Sequence, residues 1–216
     1  MSKTKDNIVE IKVDEDIIKF LKYVYFGDLI NPVEVASNRA YRDMCRTIRF
    51  GNFDKDDRVE LKKEVNGFLD TEIKKLVNGS ITSEKEFDEW HEQLCKKIVD
   101  EYKKSKIQLT YGQAQKWVNM TIKYLYVLEY KEYSVDNIIK WLHIPVDNYI
   151  FKAVDDKLNI KKPMDISWSR WDNYDEYLKY QKDIREKIEK DRNIDVPPLL
   201  WEFKNWLEVA KGNNNN

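Results

Sequence analysis

The sequence predicts an all-α protein: a two-layer, multi-helix domain of roughly ten helices with a pocket between the layers. Charged residues make up 36% of the 216 residues and there are only 6 glycines, a composition that favours a helical chain over a sheet sandwich. Apolar residues recur at helical spacing along most of the chain, whereas alternating strand patterns are few. We expect one domain, or a domain with a small lobe.

Three helices are expected in an N-terminal part, residues 1–82, after a short stretch (8–13) whose alternation allows a strand. They cover residues 14–26, 33–50 and 59–77. Pro32 suits the start of the second helix, because proline is tolerated in a first turn. On the first helix, the apolar residues expected to face inward are Ile17, Ile18, Leu21, Val24 and Tyr25.

A second part, residues 83–210, carries most of the chemistry-bearing residues, and a tail of residues 211–216 lacks apolar residues to pack. Its expected helices are 83–102, 110–130, 135–142, 148–158, 173–190 and 199–210. Ser83 with Glu86, and Thr110 with Gln113, stand at the spacing of a capping box, which marks two of the helix starts.

The helix 110–130 carries an unusual stripe. Lys116, Met120, Lys123 and Val127 recur at helical spacing among aromatic neighbours, and a buried ammonium is costly unless it is paired. Asp147 lies in an apolar segment after a turn and needs a partner for the same reason. A Lys and an Asp that meet in a pocket can act as an amine nucleophile with an acid–base helper.

Charge is distributed unevenly along a nearly neutral chain. The net charge is −1, yet residues 103–162 hold 11 lysines and 6 acidic residues. The helix 33–50 adds four arginines, Arg39, Arg42, Arg46 and Arg49. These arginines form either a solvated basic face or a face that contacts phosphate, because guanidinium forks suit phosphate oxygens.

Several classes of protein are disfavoured. Cys45 and Cys95 give neither a disulfide framework nor a metal cluster, so His91 and Cys95, four residues apart, are expected to pack in the core. We expect no metal and no cofactor. No signal peptide and no apolar run of transmembrane length is visible, so a cytoplasmic protein without membrane contact is expected.

Two fragments carry a family resemblance. Pro145-Val146-Asp147-Asn148-Tyr149-Ile150 resembles the P-V-D segment of the helix–hairpin–helix DNA glycosylase superfamily. Gln115-Lys116, followed by Ile122-Lys123, with Asp147 lying 31 residues after Lys116, is similar to the archaeal-type 8-oxoguanine DNA glycosylases, whose catalytic Lys and Asp are about that far apart.

A third fragment extends the resemblance over roughly residues 84–210. The family carries Pro-Pro-Leu and then an Asp-x-x-x-Trp that lines the base pocket, and this chain has Pro197-Pro198-Leu199 followed by Glu202 and Trp206. Glu replaces the family's Asp, so the base is expected to be 8-oxoguanine-like or another modified base.

The resemblance implies a DNA glycosylase, with or without lyase activity, that flips a modified base out of double-stranded DNA as a monomer. It implies that a neutral Lys116 attacks C1′ and forms a Schiff base while Asp147 assists proton movement. The residues implied to contact the base are Glu202, Trp206 and Gln115. Those expected to contact DNA are Lys123, His143, Arg39 and Arg42.

Alternatives remain at several positions. Lys123 is a rival nucleophile, two turns from Lys116 on the same stripe. Asp147 could be only a helix cap, and His143 could be a turn residue without a special role. The whole chain could be a protein that binds a modified base without cutting it, or a helical interaction module, because a fold does not determine a function.

Overall fold

A computed structural model describes residues 14–213 of the chain. Within that range all the regular secondary structure is helical, with eight α-helices, four 3₁₀ turns and no strand. This confirms the predicted all-α class. The α-helices are α1 (Glu15–Phe26), α2 (Pro32–Met44), α3 (Lys55–Val77), α4 (Glu84–Lys104), α5 (Tyr111–Leu128), α6 (Asn148–Leu158), α7 (Tyr174–Lys190) and α8 (Pro198–Asn213). The 3₁₀ turns are Cys45–Thr47, Lys131–Tyr133, Asp136–Ile138 and Trp168–Arg170. The strand considered at residues 8–13 and the last three residues of the predicted tail lie outside the described range.

Helix α5 is the central element of the structure. Helices α2 and α4 and the turn Trp168–Arg170 pack against it, and α3 packs against both α2 and α4. Every residue from 112 to 125 is buried, including the polar ones. On the other side, α6 packs against α7 and α8. A helix enclosed on all sides must pair each of its polar side chains within the protein.

The start of α5 forms as the sequence predicted. The Thr110 side chain accepts a hydrogen bond from the backbone N of Gln113, and the Gln113 side chain accepts one from the backbone N of Thr110, so the capping box is complete. Gly112 follows at a point of close approach, where its N–H donates to the Trp171 carbonyl (2.7 Å). This geometry fixes the start of α5 against the segment before α7.

Two predicted helices end or break earlier than expected. Helix α2 stops at Met44 rather than at residue 50, because the Thr47 hydroxyl donates to the Met44 carbonyl and the Thr47 carbonyl accepts from Gln113 Nε2 (2.8 Å). The predicted helix 135–142 is wrong, since only the turn Asp136–Ile138 forms. The Trp141 carbonyl there binds Arg185 (2.9 Å), so a tertiary contact replaces a helical hydrogen bond.

Helix α1 forms at the predicted place, but the burial predicted for its apolar face is wrong. Within the described residues the helix has no buried side chain, and Leu21 is 54% exposed. The residues that this correction concerns are Ile17, Ile18, Leu21, Val24 and Tyr25. Periodicity identifies an amphipathic helix but not the surface that would cover it. No described helix has the length and apolarity required to cross a membrane.

The close approach at Gly112 can be tested by a pair of glycine substitutions. A Cβ at Gly112 would lie 1.8 Å from the Trp168 carbonyl oxygen, whereas a Cβ at Gly67 on α3 meets nothing within 4 Å. Gly112→Ala should lower the free energy of unfolding by about 3 kcal/mol or more. Gly67→Ala, the control, should raise it by about 0.5–1 kcal/mol because alanine favours the helix. Urea denaturation measures both, and equal effects would contradict the close contact.

Candidate active site

The first ion pair of the site joins α5 to the start of α6. Lys116 Nζ lies 2.7 Å from Asp147 Oδ2, and the two side chains are only 6% and 15% exposed. Asp147 is also the N-cap of α6, because its Oδ1 accepts from the backbone N of Ile150 (2.9 Å). Trp206 Nε1 donates to Oδ2 as well (3.2 Å). The predicted meeting of Lys116, Asp147 and Trp206 is therefore confirmed in its geometry.

Gln115, in the protein interior, positions the turn that carries Asp147. Its Oε1 accepts hydrogen bonds from the backbone N of Val146 (3.3 Å) and from Asn119 Nδ2 (3.0 Å). Its Nε2 donates to the carbonyls of Val146 (3.2 Å) and Gly112 (2.9 Å). The side chain is fully buried and its hydrogen-bonding groups are all used. The predicted base contact of Gln115 is wrong: the residue holds the turn that carries Asp147.

A second ion pair lies seven residues further along α5. Lys123 Nζ contacts Glu202 Oε2 of α8 at 2.5 Å, and the Glu202 side chain is completely buried. Burial raises the pKa of Glu202 and lowers the pKa of Lys123, because desolvation disfavours both charged forms. Glu202 Oε1 accepts no hydrogen bond from any described residue. It is a buried acceptor without a partner.

The same contacts limit where Lys123 could touch DNA. At 8% exposure, with its ammonium 4.3 Å from the centre of the Phe203 ring, it cannot reach along an outer DNA backbone. Lys123 thus lies in the cavity wall, where the DNA contact predicted for it could be made only with a group inside the cavity. Of the stripe predicted on α5, Lys116, Met120 and Lys123 line the same cavity, whereas Val127 does not.

Both ion pairs border one cavity of about 520 Å³ between α2, α5, α6 and α8. Much of its wall is aromatic, from Tyr25, Tyr124, Tyr149, Trp168, Phe203 and Trp206. Of these, only Trp206 was identified from the sequence as a pocket residue. Phe203, next to Glu202, could have been found by its position, whereas no local signal marks Trp168. Flat aromatic walls around paired polar groups suit a planar ligand that carries hydrogen-bonding edges.

The arginines of α2 lie at one end of this cavity. Arg39 Nη2 is 3.6 Å from Asp43 Oδ1, and its guanidinium carbon lies 4.1 Å from the centre of the Tyr25 ring. The Tyr124 hydroxyl donates to the other oxygen of Asp43. Arg42 also lines the cavity and forms no ion pair with any described residue. Arg39 is thus held by protein groups, whereas Arg42 is exposed.

His143 lies inside the protein rather than at the surface. Its Nε2 bonds Asp88 Oδ1 (2.9 Å) and its Nδ1 bonds the Tyr177 hydroxyl (3.0 Å). With 2% exposure and both ring nitrogens occupied, it cannot contact DNA, so that expectation is wrong. His91 is also buried, bonded to Tyr174 and Asn119. Within the described range, no three His, Cys, Asp or Glu side chains form a group that could hold a metal ion.

Comparisons with protein-family models, with curated proteins and with solved structures found no match to this chain.

The buried histidines predict acid sensitivity. Burial lowers the pKa of His143 from 6.5 to about 4 and that of His91 well below 6.5. Because these folded pKa values lie below the unfolded ones, the unfolded state binds more protons between about pH 6.5 and pH 4. The free energy of unfolding should therefore fall as pH falls through that window, by up to about 1.4 kcal/mol per pH unit for each histidine.

His143→Gln should make this pH dependence shallower, because it leaves His91 as the only histidine. Urea denaturation at several pH values between 7 and 5 measures the slope, which is independent of any overall loss of stability in the variant. In the wild-type protein Asp88 loses its charge below this window, because its pKa is about 2, and in the variant Arg185 still holds its carboxylate. An unchanged slope would show that His143 is not held neutral.

Proposed function

We propose that this protein is a DNA glycosylase, with lyase activity, that removes a modified base by amine chemistry at Lys116. The observation that carries the proposal is the Lys116–Asp147 ion pair at the wall of an aromatic-lined cavity. A buried amine beside a carboxylate is what formation and breakdown of a Schiff base require. The cavity gives a flipped base a place to stack while its sugar lies at the amine.

The groups of the site suggest the order of events. Asp147, at 2.7 Å, is the nearest acceptor for the Lys116 proton. The free amine forms a bond to C1′ of the sugar as the bond between C1′ and the base breaks. The electron pair of the broken bond leaves with the base, which takes up a proton. Asp147 supplies that proton to the base, and its restored negative charge then stabilises the positive charge that develops on the sugar.

The nitrogen of the new Nζ–C1′ bond then loses a proton. The bond between C1′ and the ring oxygen breaks, the ring oxygen takes up a proton, and a Schiff base forms between Nζ and C1′. Loss of a proton from C2′ and departure of the 3′ phosphate cut the strand by β-elimination. Addition of water to the Schiff base releases the amine. No step requires a redox partner.

Recognition of the base is proposed to depend on Glu202 and Lys123. The unpartnered Oε1 of Glu202 can accept from an N–H of the base, while Lys123 keeps donor hydrogens for a neighbouring carbonyl or ring nitrogen. A base that offers a donor beside an acceptor fits both groups. An 8-oxoguanine-like base has such an edge, and other modified bases can present one too.

A likeness of residues 84–210 to the helix–hairpin–helix glycosylase fold is part of the same proposal. Its support is the order of the groups along the chain: the lysine inside α5, the aspartate at the N-cap of α6, and the Glu and Trp on α8. A monomer acting on double-stranded DNA is proposed with it.

One observation favours a second candidate function. The Lys116 amine is held by Asp147 at 2.7 Å, and an amine in an ion pair is not a nucleophile. A protein that binds a modified base without cutting DNA would keep this pair permanently. The two functions differ in whether a covalent adduct with DNA ever forms.

Borohydride trapping separates them. Sodium borohydride reduces a Schiff base to a stable amine, so the protein should become covalently attached to a duplex that carries its modified base or an abasic site. Lys116→Ala should abolish the adduct. Lys152→Ala is the matched control, because Lys152 is an exposed lysine on α6 that does not line the cavity. Absence of any adduct in a screen of modified-base and abasic duplexes would leave the binding function, and an adduct that only Lys123→Ala abolishes would make Lys123 the nucleophile.

Trp206 offers a finer test of the site. Trp206→Phe keeps an aromatic ring but removes the hydrogen bond to Asp147, so it should slow adduct formation under single-turnover conditions while leaving duplex affinity within a few-fold. Trp206→Ala also removes the stacking surface, worth about 1–3 kcal/mol per base, and should weaken binding as well. Fluorescence anisotropy and single-turnover trapping measure the two effects. Equal loss in both variants would argue against separate roles for the ring and its N–H.

A further inference from the structure

A second cavity, of about 690 Å³, shares a lining residue with the first one. Arg46 lines both cavities, so the two are neighbours along the protein surface. The second cavity lies where the turn Cys45–Thr47, the start of α5 and the turn Trp168–Arg170 meet. Its lining residues are Arg46, Thr47, Arg49, Thr110, Ser169 and Arg170, with Gln108, Gln113, Ser167 and Asp172 completing the wall. We call it the arginine groove.

Hydrogen bonds hold the walls of the arginine groove together. Gln113 Nε2 donates to the carbonyl (2.8 Å) and the hydroxyl (3.0 Å) of Thr47. The Thr110 hydroxyl donates to the Ser169 carbonyl (2.9 Å). These contacts join three separate segments of the chain, so the segments that carry the arginines are held at fixed positions relative to one another.

The charge of the groove is strongly positive. It is lined by three arginines and one acidic residue, Asp172. Neither Arg46, Arg49 nor Arg170 forms an ion pair with any residue of the described range. Arg46 and Arg49 are exposed. Three arginines without ion-pair partners among the described residues, in a groove with one acidic residue, attract an anionic ligand.

We propose that the arginine groove binds the phosphodiester backbone of the DNA strand that carries the flipped nucleotide. This inference rests on the proposed function. Arginine forks bind phosphate oxygens in pairs, and backbone contacts set the position of a protein on DNA. The hydroxyls of Ser167 and Ser169, 3.0 Å apart at the groove, add donors for phosphate oxygens. Arg46, shared by both cavities, lies beside the phosphate next to the flipped nucleotide, and Arg49 and Arg170 bind phosphates further along the strand.

The groove explains how a protein of net charge −1 can bind DNA. Counterion release depends on the cations that contact phosphates, not on the total charge of the chain. The groove concentrates its cations next to the cavity where the chemistry is proposed. The backbone of the strand and the flipped base would then be held by two adjoining surfaces.

The test compares three arginine variants in binding to a duplex with a tetrahydrofuran abasic-site analogue. Arg49→Gln and Arg170→Gln should each weaken binding several-fold and reduce the slope of log affinity against log salt by about one. Arg192→Gln is the matched control, because Arg192 is exposed and lines neither cavity. It should bind as the wild-type protein does. Thermal unfolding of each variant confirms that the fold is kept.

Methylphosphonate substitution then locates the contact. Replacing one phosphate of the abasic strand at a time removes its charge, and each position that weakens binding marks a contact. At the position that Arg49 contacts, the substitution should weaken the wild-type protein but not Arg49→Gln. Substitutions in the opposite strand should have no such coupling.

The outcomes separate a failure of the proposal for the groove from a failure of the proposed function. Groove variants that keep the wild-type affinity and salt slope, with Lys116-dependent trapping intact, overturn the groove alone. Coupling only to phosphates of the opposite strand also overturns it. A wild-type protein that binds no duplex even at low salt removes both the groove and the glycosylase.

Discussion

The structure depends on one constraint: two ammonium groups are buried on the same face of α5. Lys116 and Lys123 are 5% and 8% exposed, and an unpaired ammonium at such depth would cost several kcal/mol. Each is matched by a carboxylate from a different helix, Asp147 at the start of α6 and Glu202 on α8. The packing of α6 and α8 against each other is therefore tied to the charges of α5. The cavity is the space left between these pairs.

A buried hydrogen-bond network supports this arrangement from the neighbouring face of α5. Asn119 donates to Gln115 Oε1 and to the Tyr177 hydroxyl. Tyr177 bonds His143, and His143 bonds Asp88, which Arg185 holds through both carboxylate oxygens. Gln115, at the inner end of this network, fixes the Val146 backbone beside Asp147. The position of the carboxylate is thus set by interior groups that never touch the cavity.

The features predicted correctly from the sequence are those with local causes. The Thr110 capping box and the helical stripe of Lys116, Met120 and Lys123 follow from spacing alone, and so does the start of α6 at Asp147. The errors concern the direction in which side chains point and the contacts between distant parts of the chain. Spacing could not show that Gln115 faces the turn rather than the cavity, because one helical step separates it from Lys116. Nor could it show that His143 points into the core, or that Arg185 binds the Trp141 carbonyl in place of a helical N–H.

The two ion pairs are chemically alike, but their carboxylates differ in the hydrogen bonds that they keep when the lysine moves away. Asp147 has two further donors, the backbone N of Ile150 and Trp206 Nε1, so it keeps its orientation if Lys116 moves to a substrate. Glu202 has only Lys123 among the described residues, and the loss of that partner would leave a fully buried carboxyl without any hydrogen bond. Burial lowers the pKa of Lys123, which favours a free amine. Moving Lys123 away from Glu202 nevertheless costs more free energy than moving Lys116 away from Asp147. For the proposed glycosylase, the free energy of moving the amine therefore favours Lys116 as the nucleophile and Lys123 as the fixed member of the pair proposed to contact the base.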